Sequence, residues 1–220
     1  MLSKDKIKFF TPRIGNTLEQ LVKDSNTPEL EEWIKKVNPK SKGLAGEIFE
    51  WIITGERGDN IAKPDFKGYE IKTVSYNEDG TKDKEKMSLT AVSYSTIEDE
   101  TFETSHVLDK SKIFIVKLTK HKNPLKRKFL GFGIIDLTLY FDQVKEEYNY
   151  YRNLVCEGEA NKFTSSAKVL SKNQILHVRT AGTKKYRKYI TKNNIEYSAK
   201  PYNFTLDYKV IDKLIKPILP

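Results

Sequence analysis

Residues 64–73 read PDFKGYEIKT, a stretch in which charged residues interrupt an otherwise apolar and β-branched segment. This pattern predicts a β-strand over residues 67–74. Residues two apart in a strand share a face, so Glu70 and Lys72 point to one side while Ile71 points into the core. No other Glu-x-Lys triplet occurs in the chain. The stretch therefore predicts a core strand that carries an acid and a lysine on one face.

A second acid, Asp65, precedes this strand, and Gly68 allows the bend that brings it alongside Glu70. Two such carboxylates form a hard-oxygen site that suits Mg²⁺ and leaves room for water and phosphate oxygens. Lys72 can hold or deprotonate an attacking water and offset developing charge. The alternative is a solvated edge strand with a surface ion pair. The combination of two acids with a strand-borne lysine favours the metal site.

The size and composition of the chain narrow the class of protein. At 220 residues it is long enough for a single hydrophobic core. No apolar run reaches the roughly 18 residues that a membrane span needs, and the first ten residues lack the apolar region of a signal peptide. The single cysteine, Cys156, excludes an intramolecular disulfide. We therefore expect one domain over residues 1–220, in a reducing cytoplasm and without a membrane partner.

Charge is distributed unevenly along the chain. Residues 1–110 carry 17 Lys or Arg against 21 Asp or Glu, whereas residues 111–220 carry 22 against 9. A strongly basic half favours a polyanionic partner, because each neutralised phosphate releases counterions. The alternative is that the charge serves only solubility. A polyanionic partner would accordingly be expected to bind mainly to residues 111–220.

Hydrophobic periodicity and turn residues predict a mixed α/β fold in one compact body. The predicted elements are helices at 27–38, 41–53, 138–157 and 207–216, and strands at 67–74, 87–93, 112–119, 129–137, 174–179 and 203–206. The charged segment 77–86 is expected to be a mobile hairpin connection between two strands. No internal repeat or low-complexity linker divides the chain.

The helix predicted over residues 41–53 has an unusual polar face. Gly43, Gly46 and Glu50 share that face, opposite an apolar stripe. Glycine in a helix costs about 0.5–1 kcal/mol relative to alanine, so two on one face require a reason. Close approach of a backbone or ligand is one explanation, and loose surface packing is the other.

Other catalytic chemistries have little support in the sequence. The three histidines are scattered and form no H-x-x-x-H pair, and neither a P-loop nor a dinucleotide fingerprint occurs. Cys156 lies inside the long predicted helix and is expected to be a core residue rather than a nucleophile.

The order of three motifs resembles the MutH-type endonucleases, members of the PD-(D/E)xK nuclease superfamily. These motifs are KGLAGEIFEWIITG, PDFKGYEIKT and FETSHVLDKSKIFIV, with weaker similarity in QILHVRT and FTLDYKVIDKLI. The resemblance implies a restriction-endonuclease-like core with a central mixed sheet flanked by helices, followed by a basic C-terminal DNA-binding lobe. With the charge distribution, it implies that residues 1–110 are mainly catalytic and residues 111–220 mainly DNA-binding. It also implies Mg²⁺ as cofactor, double-stranded DNA as partner and a possible homodimer.

The resemblance carries particular roles onto this chain. It implies that Glu50 is the helix glutamate near the active site, that Asp65 and Glu70 bind the metal, and that Lys72 is the catalytic lysine. Lys110 corresponds to a second lysine near the scissile phosphate, although the residues alone favour a solvated charge there. His106, in the motif ETSHV, is expected to make a structural hydrogen bond in a packed turn.

The same comparison places a DNA-contacting segment around Arg179. Arginine can pair bidentately with guanine, which favours a base-reading role, although pairing with an acid or a phosphate is the alternative. The run KKYRKY interleaves cations with tyrosines and suits contact with the DNA backbone, or equally a solvated face. The cations of this run are Lys184, Lys185, Arg187 and Lys188.

Three functions are compatible with these features. The first is a type II restriction-like enzyme that cuts double-stranded DNA at GATC-type sites, which the lysine-rich basic half favours. The second is a MutH-like repair enzyme that nicks hemimethylated GATC. The third is a catalytically silent DNA-binding module. The intact Asp65, Glu70 and Lys72 argue against the third.

Overall fold

The computed structural model describes residues 3–38, 41, 43–57, 64–164, 173–181 and 186–218. The helices are α1 Lys4–Phe10, α2 Leu18–Asp24, α3 Pro28–Lys36, α4 Leu44–Thr54, α5 His106–Asp109, α6 Phe141–Cys156 and α7 Tyr208–Leu214. The strands are β1 Glu70–Tyr76, β2 Met87–Ala91, β3 Lys112–Thr119, β4 Phe129–Asp136, β5 Leu176–Thr180, β6 Arg187–Ile190, β7 Glu196–Ala199, β8 Tyr202–Leu206 and β9 Lys216–Ile218. This mixed α/β composition confirms the predicted fold class.

The chain divides into two compact units. Unit 1 comprises Met1–Glu85, Lys112–Ile135 and Leu214–Pro220, and unit 2 comprises Lys86–Ser111 and Asp136–Lys213. Each unit therefore combines segments from both halves of the sequence. Within the described residues, no helix has both the length and the apolar character needed to cross a membrane.

Unit 1 contains a four-stranded sheet in the order β1-β3-β4-β9. β1 and β3 are parallel, with Glu70 opposite Ile113, whereas β4 and β9 are antiparallel, so the sheet is mixed. Helices α1, α2 and α4 supply residues to the same buried cluster as β1, β3 and β4. The predicted mixed sheet flanked by helices is thereby confirmed.

An aromatic cluster lies at the centre of unit 1. Phe10 is buried, and its ring centroid lies 6.0 Å from that of Phe49 and 5.5 Å from that of Phe129. Phe132 completes the group at 4.9 Å from Phe10. Truncating a buried phenylalanine to alanine typically costs 3–5 kcal/mol, so this cluster contributes much of the rigidity that fixes α4 against the sheet.

Helix α4 has the predicted apolar stripe, and all its members are buried: Leu44, Ala45, Ile48, Phe49 and Ile52. The helix ends at Gly55, which adopts a left-handed φ of 90°. A Cβ placed on Gly46 would meet nothing within 4 Å in the described residues. Close approach of another backbone is therefore not the reason for that glycine, and the ligand explanation stays a prediction.

Unit 2 contains a three-stranded antiparallel sheet in the order β2-β8-β5 and a two-stranded sheet formed by β6 and β7. Helix α6 is tied to the first of these by a buried carboxylate. Glu147 accepts hydrogen bonds from the backbone N–H groups of Ile175, at 3.1 Å, and Leu176, at 2.7 Å. This pairing compensates for burying the acid, although burial still raises its pKa.

The prediction of a hairpin connection at 77–86 is wrong. β1 pairs with β3 and β2 pairs with β8, so the two flanking strands lie in different sheets. The segment also contains a buried lysine, Lys82, whose ammonium donates to the carbonyls of Asp83 and Glu85, both at 3.0 Å. The high density of charges suggested a solvated loop. The sequence does not show that Lys82 is buried and that backbone carbonyls accept hydrogen bonds from its ammonium group.

Candidate active site

A tight turn sets the position of the first acid. Phe66 and Tyr69 exchange backbone hydrogen bonds of 2.9 and 2.8 Å, and the residues between them, Lys67 and Gly68, have φ values of 47° and 78°. Positive φ at both central positions is the geometry of a type I′ turn, for which glycine is well suited. The turn returns the chain so that Asp65 Oδ2 accepts a 2.7 Å hydrogen bond from the N–H of Ile71. The predicted bend at Gly68 is confirmed.

The Glu-x-Lys pair lies on β1. Lys72 Nζ is 2.5 Å from Glu70 Oε1, so the two side chains share a face as predicted. Glu70 is only 2% exposed, whereas the side chain of Lys72 keeps 28% of its accessible surface. β1 lies at one end of the described strand order, so the edge position in the alternative reading is confirmed, but the carboxylate of the pair is buried rather than solvated. Burying an ion is costly unless a counter-charge compensates for it.

Glu50 joins this group from helix α4. Its pKa is raised from 4.5 to about 7, chiefly by burial and next by the negative charge of Asp65. Lys72 acts in the opposite direction, and Glu70 and Glu47 add smaller increases. The charges of Asp65, before β1, and of Glu70, on β1, therefore both act on Glu50. A helix, a turn and a strand thus contribute three carboxylates and one lysine whose charges influence one another.

The donor chemistry of this cluster fits Mg²⁺. Mg²⁺ is bound in proteins by one or two carboxylates together with water and substrate phosphate oxygens, and Asp65 and Glu70 supply such a pair. Among the described residues, no three His, Cys, Asp or Glu side chains are grouped closely enough to form an all-protein metal cage. Asp65 and Glu70 are the residues of this cluster that could hold such an ion together with water or substrate oxygens.

Lys110 belongs to unit 2, where it follows helix α5. Its backbone N–H donates to the carbonyl of His106 at 3.2 Å, and its side chain is half-buried. The turn before it is stabilised by Ser105, which is buried and whose hydroxyl donates to the carbonyl of Phe102 at 2.7 Å. His106 is exposed, and its Nδ1 lies 3.2 Å from Oδ2 of the nearby Asp109. Ser105 makes the buried hydrogen bond of this turn, and the contact between His106 and Asp109 is consistent with the structural role expected of His106.

The predicted DNA-contacting residues also lie in unit 2. Arg179 is exposed on β5, and Lys188 is exposed on β6, where it pairs with Glu196 at 2.8 Å. Lys184 and Lys185 fall outside the described residues. Arg187 begins β6, but its side chain is outside the described part of the chain.

The structure adds a polar sheet face that the sequence reasoning missed. Asn203 on β8 lies opposite Arg179, and its amide donates to Ser88 on β2 at 3.0 Å. His177 and Thr205 form the next pair on the same face, and burial, together with Lys86 and Arg179, lowers the pKa of His177. The alternation of polar and apolar residues in YNFTL could have indicated this face. Arg179 is therefore accompanied by amide and hydroxyl groups that can form hydrogen bonds.

Comparison with known proteins agrees with this architecture. Residues 55–146 match the family model of the DNA mismatch repair enzyme MutH. The match includes Asp65, Glu70, Lys72 and Lys110 and covers somewhat less than half of the chain, and no curated protein matches significantly. The similarity confirms the resemblance to MutH-type endonucleases, and the mixed α/β fold is consistent with a restriction-endonuclease-like core.

Proposed function

We propose that this MutH-type protein is a Mg²⁺-dependent endonuclease that hydrolyses double-stranded DNA at GATC-type sites, in the manner of a type II restriction enzyme. The proposal rests chiefly on the cluster at the start of β1, where Asp65 is held beside Ile71 and Glu70 is paired with Lys72. The raised pKa of Glu50 adds support, because strongly shifted carboxyl groups are concentrated at functional sites.

Each residue of the cluster has a distinct task in this proposal. Asp65 and Glu70 would hold Mg²⁺, which, when bound, would supply positive charge near the scissile phosphate and lower the pKa of nearby water. Lys72 orients the attacking water, takes part in its deprotonation and offsets the charge that develops on the phosphate. Glu50, with a pKa of about 7, can exchange a proton near neutral pH.

The residues of unit 2 are assigned to substrate binding. Lys110 approaches the scissile phosphate and stabilises its charge. Arg179 reads a base in the major groove, since its guanidinium can contact guanine O6 and N7 together. The backbone contacts come from Lys184, Lys185, Arg187 and Lys188.

The domain organisation, the cellular location and the oligomeric state are predictions of this assignment. We expect the two units to act as one endonuclease domain, 1–220, in the cytoplasm and with the possibility of a homodimer.

A repair role is the second candidate, because the matched family is described as a DNA mismatch repair enzyme. In that role the protein would nick hemimethylated GATC. A silent DNA-binding module is disfavoured by the retention of Asp65, Glu70 and Lys72.

Digestion of plasmids with unmodified, hemimethylated or fully methylated GATC, using purified protein and Mg²⁺, tests the proposal. Double-strand cutting of unmodified plasmid supports restriction, whereas nicking restricted to hemimethylated plasmid supports repair. Asp65→Ala and Glu70→Ala should each abolish cutting yet bind DNA normally in Ca²⁺. Asp79→Ala, which removes an exposed acid from the 77–86 segment, serves as the matched control. Substantial Mg²⁺-dependent cutting by either active-site variant would contradict the assignment.

A further inference from the structure

The connection between β3 and β4, residues 120–128, is the most basic short segment of unit 1. It reads KHKNPLKRK, with five Lys or Arg and one His among nine residues and no acid. None of these cations belongs to the predicted catalytic or DNA-binding residues. A concentration of positive charge on the unit that carries β1 therefore needs its own explanation.

The backbone of this connection is anchored to the body of unit 1. Asn123 Oδ1 accepts from the N–H of Leu125 at 3.0 Å and begins a short 3₁₀ turn, in which Pro124 is buried. The carbonyl of Arg127 accepts from Leu18 at 2.9 Å, at the start of α2. The cations are thus displayed by a fixed frame, which lowers the entropic cost of binding a ligand.

Most of these cations have no acidic partner. Lys122, Lys126 and Lys128 are exposed, and none pairs with a carboxylate among the described residues. Lys120 is the exception, because it pairs with Asp83 at 2.9 Å. Three exposed lysines on one anchored connection leave a net positive surface, the electrostatic requirement for binding a polyanion.

The shape of the surface argues for an extended ligand rather than a small anion. A cavity of about 550 Å³ lies beside the connection and is lined by Lys120, His121, Lys122 and Arg127, but also by Asp83 and Glu85. Lys120 keeps the pKa of Asp83 below its usual range, so that acid remains charged. Two carboxylates in the wall oppose a free phosphate inside the cavity. Lys126 and Lys128, by contrast, are exposed and are not part of the cavity lining, and with the exposed Lys122 at its rim they can contact a chain of phosphates that passes outside it.

The connection lies at the opposite end of β1 from Glu70. The N–H of Lys120 donates to the carbonyl of Tyr76, the last residue of β1, at 2.7 Å. Seven strand residues separate the two ends of β1 by about 20 Å. Successive phosphates of one DNA strand advance by about 3.4 Å, so this distance corresponds to roughly six base pairs.

We propose that residues 120–128 form a flanking-DNA surface that binds the phosphate backbone several base pairs away from the cleavage point. This deepens the proposed function and rests on it for the identity of the polyanion. The contact is independent of sequence, because lysines bind phosphates without reading bases. Its contribution is present only when the duplex extends far enough beyond the cleavage point to reach Lys122, Lys126 and Lys128.

The test is a triple variant, Lys122→Ala with Lys126→Ala and Lys128→Ala. Binding is measured in Ca²⁺ over a salt series, on a 30-base-pair duplex and on a duplex short enough to end before the connection. On the long duplex we expect binding weaker on the order of 10–100-fold and a slope of log K against log salt reduced by about 2–3. On the short duplex the variant and the wild type should bind equally.

The matched control removes the same charge elsewhere in unit 1. Lys23→Ala, Lys35→Ala and Lys36→Ala eliminate three exposed lysines, two of which are already paired with glutamates in the same helix. The control should lose little affinity on either duplex. Thermal melting of both triple variants verifies that they fold, as expected for exposed positions.

The outcomes separate this inference from the proposed function. Normal cleavage with no difference between the two triple variants overturns the flanking-DNA surface and leaves the nuclease intact. An equal loss on both duplexes also overturns it. Length-dependent loss of DNA binding without any cleavage by the wild type supports the surface and contradicts the nuclease. If the wild type binds no duplex, both proposals fail.

Discussion

Replacing Glu50 by glutamine should stabilise the metal-free protein above neutral pH. The pKa of Glu50 is raised from 4.5 to about 7, first by burial and then by Asp65. A raised carboxyl pKa means that ionising this group in the folded state costs stability. The whole difference corresponds to at most about 3 kcal/mol. Because Glu50 is only half-buried, solvent screening should reduce the cost to about 1–2 kcal/mol.

The sign of the pH dependence follows from linkage. Below about pH 4.5, Glu50 is protonated in both the folded and the unfolded chain, so its charge costs nothing. The cost grows as pH rises from 4.5 and is complete above about 7. The stabilisation by Glu50→Gln should therefore be largest at pH 8 and about a quarter as large at pH 5. At pH 8 it should raise the melting temperature by about 2–8 °C.

Calorimetric or urea unfolding in EDTA at pH 5 and pH 8 measures this effect. Glu56→Gln removes an exposed acid just after α4 and should change stability by less than about 0.5 kcal/mol. Mg²⁺ should raise the melting temperature of the wild type more than that of Glu50→Gln, because it relieves the repulsion that the variant lacks. A Glu50→Gln protein no more stable than wild type at pH 8, or equally stabilised at both pH values, would refute the reasoning.

Three further predictions concern the lysine, a glycine and the DNA contacts. Lys72→Ala should abolish cleavage with little change in Ca²⁺-dependent DNA binding, and near-normal turnover would reduce Lys72 to an ion-pair partner of Glu70. Gly158→Ala should lower the free energy of unfolding in urea by about 2–4 kcal/mol, because φ is 75° and the new Cβ would lie 2.1 Å from Tyr197 Cζ. Gly80→Ala is the control, because Gly80 has a similar φ of 79° but no atom near the new Cβ. Equal losses of stability in the two variants would exclude the clash. Arg179→Ala should lose about 1–3 kcal/mol of discrimination between GATC and a scrambled duplex, whereas equal weakening on both would indicate a phosphate contact.

Elements with strong periodicity could be predicted closely from the sequence. β3 spans the predicted residues 112–119, and α4 buries the predicted stripe of apolar residues. In both, local propensity and burial favour the same structure, so tertiary contacts add little that a sequence pattern lacks. Asp65 and Gly68 were predictable for a similar reason, since the turn chemistry is local.

Elements that are stabilised by residues far away in the sequence could not be predicted from local patterns. Helices α1 and α2 have seven residues each, too short for a clear hydrophobic period. They are stabilised by the buried core that they share with α4 and the strands of unit 1. The helix predicted to reach residue 216 ends at Leu214, and Pro217 lies instead in β9, an end strand of the sheet where a missing N–H is tolerated. Sequence separation hides such pairings, because β9 joins β4 across some eighty residues.

The candidate site shows the same division between local and tertiary information. The residue types and the shared face of Glu70 and Lys72 follow from a period of two. The burial of Glu70 does not follow from this period, because it depends on which residues pack against that face of the strand. The raised pKa of Glu50 and the pairing of Asn203 with Arg179 require contacts between separate elements, which no spacing in the sequence reveals.

The electrostatics of the cluster link stability to the proposed chemistry. In the metal-free protein the charge of the buried Glu70 is balanced by Lys72, at 2.5 Å, while Glu50 meets repulsion from Asp65 and Glu70. A divalent cation shared by Asp65 and Glu70 would balance both acids. The ammonium of Lys72 would then no longer be needed as the main counter-charge of Glu70 and could turn towards water and phosphate. Such a site is costly to keep empty, and that cost strengthens binding of the cation that the reaction requires.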